Sequence, residues 1–244
     1  SGQGVWNMKK SLAKNLGIKK SEIKVTNPDV GGGFGMKSFD YPEYFIVAMA
    51  AKELNKSVRW QAERGESLLA DNGARDLVTN AEAAFDKNYK LLALRIKSTS
   101  NLGAYNSSNG QLIQTELALK VLTGAYDVKN ILFEVTGVFT NTSPVDAYRG
   151  AGRPEAIYIL ERLMDYSARV LNINALELRR KNFITPDRLP FKTASGEIYD
   201  VGNFSKLLTS AEIKANINSF ESRKRESLRN GKLRGIGLCY YIEA

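Results

Sequence analysis

The chain has 244 residues, 43% hydrophobic and 25% charged, enough to bury a core as one large domain or two small ones, and this excludes disorder and collagen-like repeats. It holds no histidine and one cysteine, Cys239, so a Ser-His-Asp triad, a Cys-His pair, a His/Cys zinc site, an internal disulfide and a four-cysteine iron–sulfur cluster are all excluded. Chemistry here falls to carboxylates, hydroxyls, amides, Lys and Arg, or to a cofactor brought in whole. The 35 basic and 26 acidic side chains leave a net charge of +9, and Arg179 to Arg234 carries 13 of the basic residues against 6 acidic ones. A basic face suits nucleic acid, an anionic cofactor or an acidic partner subunit, and equally a solvated helix surface.

No apolar run approaches the roughly 18 residues of a spanning helix, so no membrane association is expected. A lone cysteine suits a reducing compartment, which makes the expected location cytoplasmic. Ser1-Gly2-Gln3-Gly4 and the closing Gly237 to Ala244 read like the interior of a longer polypeptide, so an internal fragment is expected.

In chain order, Val5, Met8, Leu12 and Leu16 predict an amphipathic helix over 5–16, and 21–26 alternates like a strand. That strand would run into Asp29-Val30-Gly31-Gly32-Gly33-Phe34-Gly35-Met36-Lys37, with a helix over 44–54 beyond, a strand–loop–helix unit. Residues 57–61, 77–85 and 91–100 alternate, the last two forming a hairpin around Asp86-Lys87-Asn88, and 131–140 supplies a further strand. Pro154 opens a helix striped by Ile157, Leu160, Met164, Ala168 and Leu171, and a shorter helix covers 175–182. Residues 185–202 read as a surface loop, 204–230 as one basic helix, and a strand closes the chain from Leu233. The class is α+β, a mixed two-layer arrangement of antiparallel strands with flanking helices. Residues 1–184 form the first domain, and 185–244 are the loop, the basic helix and the start of a following segment.

Two segments carry ligand chemistry. Three glycines followed by Phe-Gly leave a backbone able to take positive φ and to offer several N–H groups to an anion, or to make a tight turn. The spacing fits neither a Walker A loop nor a dinucleotide fingerprint. In Pro144-Val145-Asp146-Ala147-Tyr148-Arg149-Gly150-Ala151-Gly152-Arg153-Pro154-Glu155, two arginines flank a Gly-Ala-Gly segment ahead of a helix N-terminus. Anionic atoms would meet guanidinium, amides and helix dipole together, unless the arginines pair with Glu155 or Glu161.

These segments, with Glu161-Arg162, Glu177-Leu178-Arg179-Arg180-Lys181-Asn182, Glu63-Arg64, Asn101-Leu102-Gly103-Ala104-Tyr105 and Leu233-Arg234-Gly235-Ile236-Gly237, resemble the molybdenum-binding large subunits of the xanthine dehydrogenase, aldehyde oxidase and carbon monoxide dehydrogenase family. The likeness covers practically the whole chain and makes 1–184 a molybdenum-cofactor-binding domain. It implies that Gln3 lies beside the metal, that the backbone of Gly32, Gly33, Phe34 and Gly35 holds the cofactor, and that Arg149 and Gly150 approach the metal from another side. It implies molybdopterin with molybdenum, in the cytosine dinucleotide form, with an FAD-binding medium subunit and a 2Fe-2S small subunit as partners. A molybdenum held through pterin sulfurs needs no protein His or Cys.

Departures from the family narrow the substrate. Members with a molybdenum–copper centre carry a cysteine where this chain has Gly150, so no copper is expected and carbon monoxide oxidation is disfavoured. Purine hydroxylases carry a glutamate and an aromatic where Ser38 and Ala151 stand, which disfavours xanthine. The implied reaction is hydroxylation of an aldehyde, N-heterocycle or similar small molecule, with water as oxygen source. Its general base is a glutamate in a Gly-x-Gly-Glu stretch that this chain lacks, and Glu243 on a terminal strand is a poor substitute. The isolated fragment is expected to be inactive. The alternative is a non-catalytic basic module that binds nucleic acid or a partner subunit through Arg179–Arg234; without aromatic interleaving or a recognised motif, nucleic acid is not expected.

Overall fold

The computed structural model describes residues 2–243, and the chain's internal contacts divide it into two units. Among these residues the first unit draws on 2–78, 99–114 and 136–151, and the second on 79–98, 115–135 and 152–243. The elements are α1 Val5–Leu16, α2 Pro42–Leu54, α3 Arg64–Ala70, β1 Leu77–Phe85, β2 Leu91–Gly103, β3 Asn130–Phe139, α4 Arg153–Val170, α5 Ala175–Asn182, β4 Phe191–Lys192, β5 Ile198–Tyr199, α6 Phe204–Ala215 and α7 Phe220–Arg229. Short irregular helical turns join them. This is the expected α+β class. Among the described residues no helix is long and apolar enough to cross a membrane.

β1, β2 and β3 lie in that order in one sheet. The β1–β2 hairpin closes because the Asp86 carboxylate accepts from the N–H groups of Asn88 and Lys90, both at 2.8 Å, while Tyr89 takes φ 67°. Lys97 bridges to Glu134 at 2.6 Å and the Thr140 N–H donates to Gly103 O at 3.0 Å. Both pairs are offset by 37 (134 − 97 and 140 − 103), the constant offset of parallel strands, so β2 and β3 run parallel where antiparallel strands alone were expected.

In the second unit, Leu160, Met164 and Ala168 of the α4 stripe are buried with Leu91, Leu94, Tyr126, Leu178, Phe183, Leu208 and Tyr240. Pro154 occupies the first turn of α4, where its missing N–H costs nothing. Asn174 caps α5 by accepting from the N–H groups of Leu176 and Glu177.

Five further expectations are corrected. Residues 21–26 form no strand: a 3₁₀ turn spans Lys20–Glu22 and the remainder is extended without a ladder partner, so alternation alone built nothing. Residues 57–61 are likewise irregular, and 233–243 carry no strand. The basic helix is two, because Asn216 stops α6 in the left-handed region at φ 47° and Arg223 donates to the freed carbonyls of Ala215 and Asn216, both at 2.9 Å. The 185–202 loop contains an antiparallel pair, β4 with β5.

Tyr240 gives this unit an alkaline weak point. Its ring sits 4.8 Å from that of Phe183, its hydroxyl donates to Phe204 O at 2.9 Å, and burial pushes its pKa up to about 12. An unfolded tyrosine ionises near pH 10, so folding favours the protonated phenol. The contribution is complete below about pH 10 and is lost as the pH rises towards 12. Urea midpoints are expected to fall across that window, less steeply in Tyr240→Phe; equal slopes would assign the loss to other groups.

Candidate functional site

All seven residues singled out from the sequence belong to the first unit. The glycine loop is built from left-handed backbone: φ is 68° at Gly31, 86° at Gly32, 55° at Phe34 and 93° at Gly35. Phe34 holds a conformation unusual for a side-chain-bearing residue, and its ring fills the space beside Gly32, where an added Cβ would stand 2.8 Å from Phe34 Cε2. The N–H groups of Gly32, Gly33 and Phe34 have no acceptor among the described residues.

Gln3 is docked on this loop. Its N–H donates to Lys37 O at 2.7 Å, and its side-chain Oε1 accepts from the N–H groups of Gly35 at 2.9 Å and Lys37 at 3.1 Å. A Cβ on Gly33 would fall 2.3 Å from Gln3 Cδ, so only glycine admits the amide. Two donors fix which end of the amide faces the loop. The Nε2 end therefore points away, with no acceptor among the described residues. Asn27 Nδ2 ties the start of the chain to this loop by donating to Gly2 O at 2.7 Å.

The second loop meets the first through backbone. The Arg149 N–H donates to Phe34 O at 2.8 Å, and its guanidinium lies 5.9 Å from the centre of the Phe34 ring. A Cβ on Gly35 would be 2.7 Å from Ala147 O. Gly150, φ 93°, and Ala151, φ 40°, continue the turn. The exposed Arg149 guanidinium has no carboxylate partner among the described residues.

Sequence reasoning assigned no role to the residues behind this loop. Arg75 donates to the carbonyls of Tyr148 at 3.1 Å and Arg149 at 2.6 Å. Asp146, fully buried, accepts from Ser107, from Asn109 and from the Ala147 N–H. A buried acid has to be hydrogen-bonded, and Asp146 already stood inside the quoted motif; nothing in the sequence marked Arg75. Glu243, in the second unit, is held by Arg153 Nε at 2.9 Å.

Taken together, the first unit presents three backbone N–H groups, one amide NH₂ and one guanidinium, all donors, around a glycine loop that has no room for a Cβ at Gly33 or Gly35. Among the described residues no cluster of His, Cys, Asp or Glu could hold a metal. Such a site fits an electron-rich group that carries its own metal ligands. Residues 1–183 match the family described as the molybdopterin cofactor-binding domain. The chain belongs to this family. The carbon monoxide dehydrogenase large chain of Hydrogenophaga pseudoflava is 32% identical over 233 residues, covering 93% of this chain and 29% of that one. The nicotine 6-hydroxylase large subunit of Paenarthrobacter nicotinovorans is 30% identical over 240 residues, again 29% of its length. The crystal structure of quinoline 2-oxidoreductase from Pseudomonas putida 86 superposes with a TM-score of 0.89 at 32% identity, over 94% of this chain and 29% of that one. This molybdopterin cofactor-binding domain chain thus spans under a third of the length of these relatives.

Proposed function

We propose that this chain is part of the large subunit of a molybdenum hydroxylase that oxidises an aldehyde, an N-heterocycle or a similar small molecule with water as oxygen source. Residues 1–184 are its first cofactor-binding domain, and 185–244 lead into the following segment. The observation that carries this is the set of unsatisfied donors where Gln3, Gly32–Gly35 and Arg149 meet. Molybdopterin, when bound, supplies the redox centre of the reaction. The N–H groups of Gly32, Gly33 and Phe34 and the Gln3 Nε2 orient its electron-rich end, and Arg149 balances its charge.

The pterin is proposed in its cytosine dinucleotide form, with FAD and 2Fe-2S groups on medium and small partner subunits, in the cytoplasm. Copper is not proposed: Gly150 offers no thiol and the one cysteine, Cys239, lies outside both loops. The general base is assigned to a Gly-x-Gly-Glu stretch outside this sequence, so the chain by itself should be inactive. The rival basic module loses support because three of its thirteen cations are committed within the fold: Arg179 is fully buried, Arg180 pairs with Glu212, and Arg223 closes α6.

Gln3→Glu tests the assignment. A glutamate keeps an oxygen for the Gly35 and Lys37 N–H groups but replaces the Nε2 donor with a second acceptor. A hydrogen bond to a charged group contributes about 1.5–3 kcal/mol, so cofactor retention or turnover in the complete enzyme should fall roughly 10- to 100-fold while the melting temperature holds. Unchanged molybdenum content and turnover would remove Gln3 from the site.

A further inference from the structure

Behind the Arg149 loop lies a clasp of three chain segments, all in the first unit. Residues 72–75 run beside 144–146: the Gly73 N–H donates to Pro144 O at 2.7 Å and the Asp146 N–H to Gly73 O at 3.0 Å. Segment 107–109 closes the other side. Asn72 Nδ2 donates to Ser107 Oγ at 2.8 Å, and the Ser107 hydroxyl donates in turn to Asp146 Oδ2. Asn109 reaches both carboxylate oxygens, its N–H at 3.2 Å from Oδ2 and its Nδ2 at 3.3 Å from Oδ1. The fourth donor is the Ala147 N–H, 2.5 Å from Oδ1.

Each oxygen of Asp146 thus takes two donors, and one of the four is the first backbone amide of the loop that carries Arg149. A buried carboxylate is retained only where its hydrogen bonds offset desolvation, and here they all serve to fix the loop's root. The root determines where Ala147 O faces Gly35 and where the Arg149 N–H meets Phe34 O, the two points at which the loops touch. We infer that Asp146 is a positioning residue: through its Ser107–Asn109–Ala147 bonds it sets the approach of the Arg149 loop to the glycine loop, and thereby the grip on the cofactor. The grip on molybdopterin rests on the function proposed above; the placement of the loop does not.

Asp146→Asn is isosteric, but in either orientation its NH₂ confronts two donors. In the complete enzyme, amide hydrogen exchange is expected to quicken about tenfold or more in 147–151 and 33–37 relative to wild type, with molybdopterin content falling by a similar factor. Ser107→Ala, which removes one donor of four, should shift the same peptides in the same direction by less, and serves where Asp146→Asn does not fold. Exchange that rises evenly over the unit, or not at all, would reduce Asp146 to a fold-stabilising group and overturn the inference. Wild-type enzyme without molybdopterin would overturn the proposed function and the cofactor half of the inference. Wild-type enzyme that holds it, beside variants with unchanged content and exchange, would overturn the inference alone.

Discussion

Gly35→Ala is expected to leave the complete enzyme with less than about a tenth of the wild-type molybdopterin, a loss of at least 1.4 kcal/mol in cofactor binding. Two effects act at this one position. The backbone holds φ at 93°, and an L-residue in left-handed backbone costs roughly 1–2 kcal/mol even in open space. The added Cβ would also stand 2.7 Å from Ala147 O and 2.9 Å from Ala147 C, backbone atoms that cannot turn aside as a side-chain tip can. Relief requires the two loops to separate, which breaks the contact between the Arg149 N–H and Phe34 O and pulls the Gly35 N–H off Gln3 Oε1. Gly17→Ala separates the causes: Gly17 closes α1 at φ 62° with nothing within 4 Å of its would-be Cβ. That variant should lose stability by about 1 kcal/mol and keep its cofactor. Measured molybdenum-to-protein ratios decide it, and a Gly35→Ala enzyme with a full complement would show that the loops do not need their present separation.

What was legible in the sequence was local. α1, β1 and α5 fall on the residues predicted, because amphipathic period, alternation and capping are written within each segment. Alternation misled at 21–26 and 233–243, where the chain has no neighbouring strand to complete a ladder. Helix α3 was not predicted, and its start is held by the Glu66 carboxylate, which accepts from the Glu63 N–H at 3.2 Å. Asn216 announces the break between α6 and α7, since asparagine accepts left-handed backbone. Of the site, the glycines and arginine declared themselves as anion-binding chemistry. Their juxtaposition did not, because it rests on bonds such as Gly35 to Gln3 and Arg75 to Arg149 that span distant parts of the chain.

Arg179→Met should cost the second unit about 3–5 kcal/mol, the range for breaking a buried ion pair on one side. Arg179 is fully buried and its guanidinium has no free edge. Nε donates to Glu161 Oε2 at 3.0 Å, Nη1 to Asp165 Oδ1 at 2.8 Å and to Ala175 O at 3.2 Å, and Nη2 to Glu161 O at 3.3 Å. Burial by itself would lower the pKa of the guanidinium, but facing Tyr126 and Glu161 more than offset it, so the group stays charged. Methionine fills a similar volume and leaves Glu161 buried without its cation. Glu161 is also where distant chain is anchored: Oε1 accepts from the Tyr126 hydroxyl at 2.5 Å and Oε2 from the Tyr240 N–H at 2.8 Å. An unpaired Glu161 is a buried charge that draws in water, which weakens the hold on 238–243. Adding Glu161→Gln removes the stranded charge while keeping an acceptor for Tyr240, so the double variant should recover part of the loss. A double-mutant cycle by urea unfolding measures the coupling, which should exceed about 1 kcal/mol. Strict additivity would mean that the two residues stabilise the unit independently and that the hold of Glu161 on the 238–243 segment does not depend on Arg179.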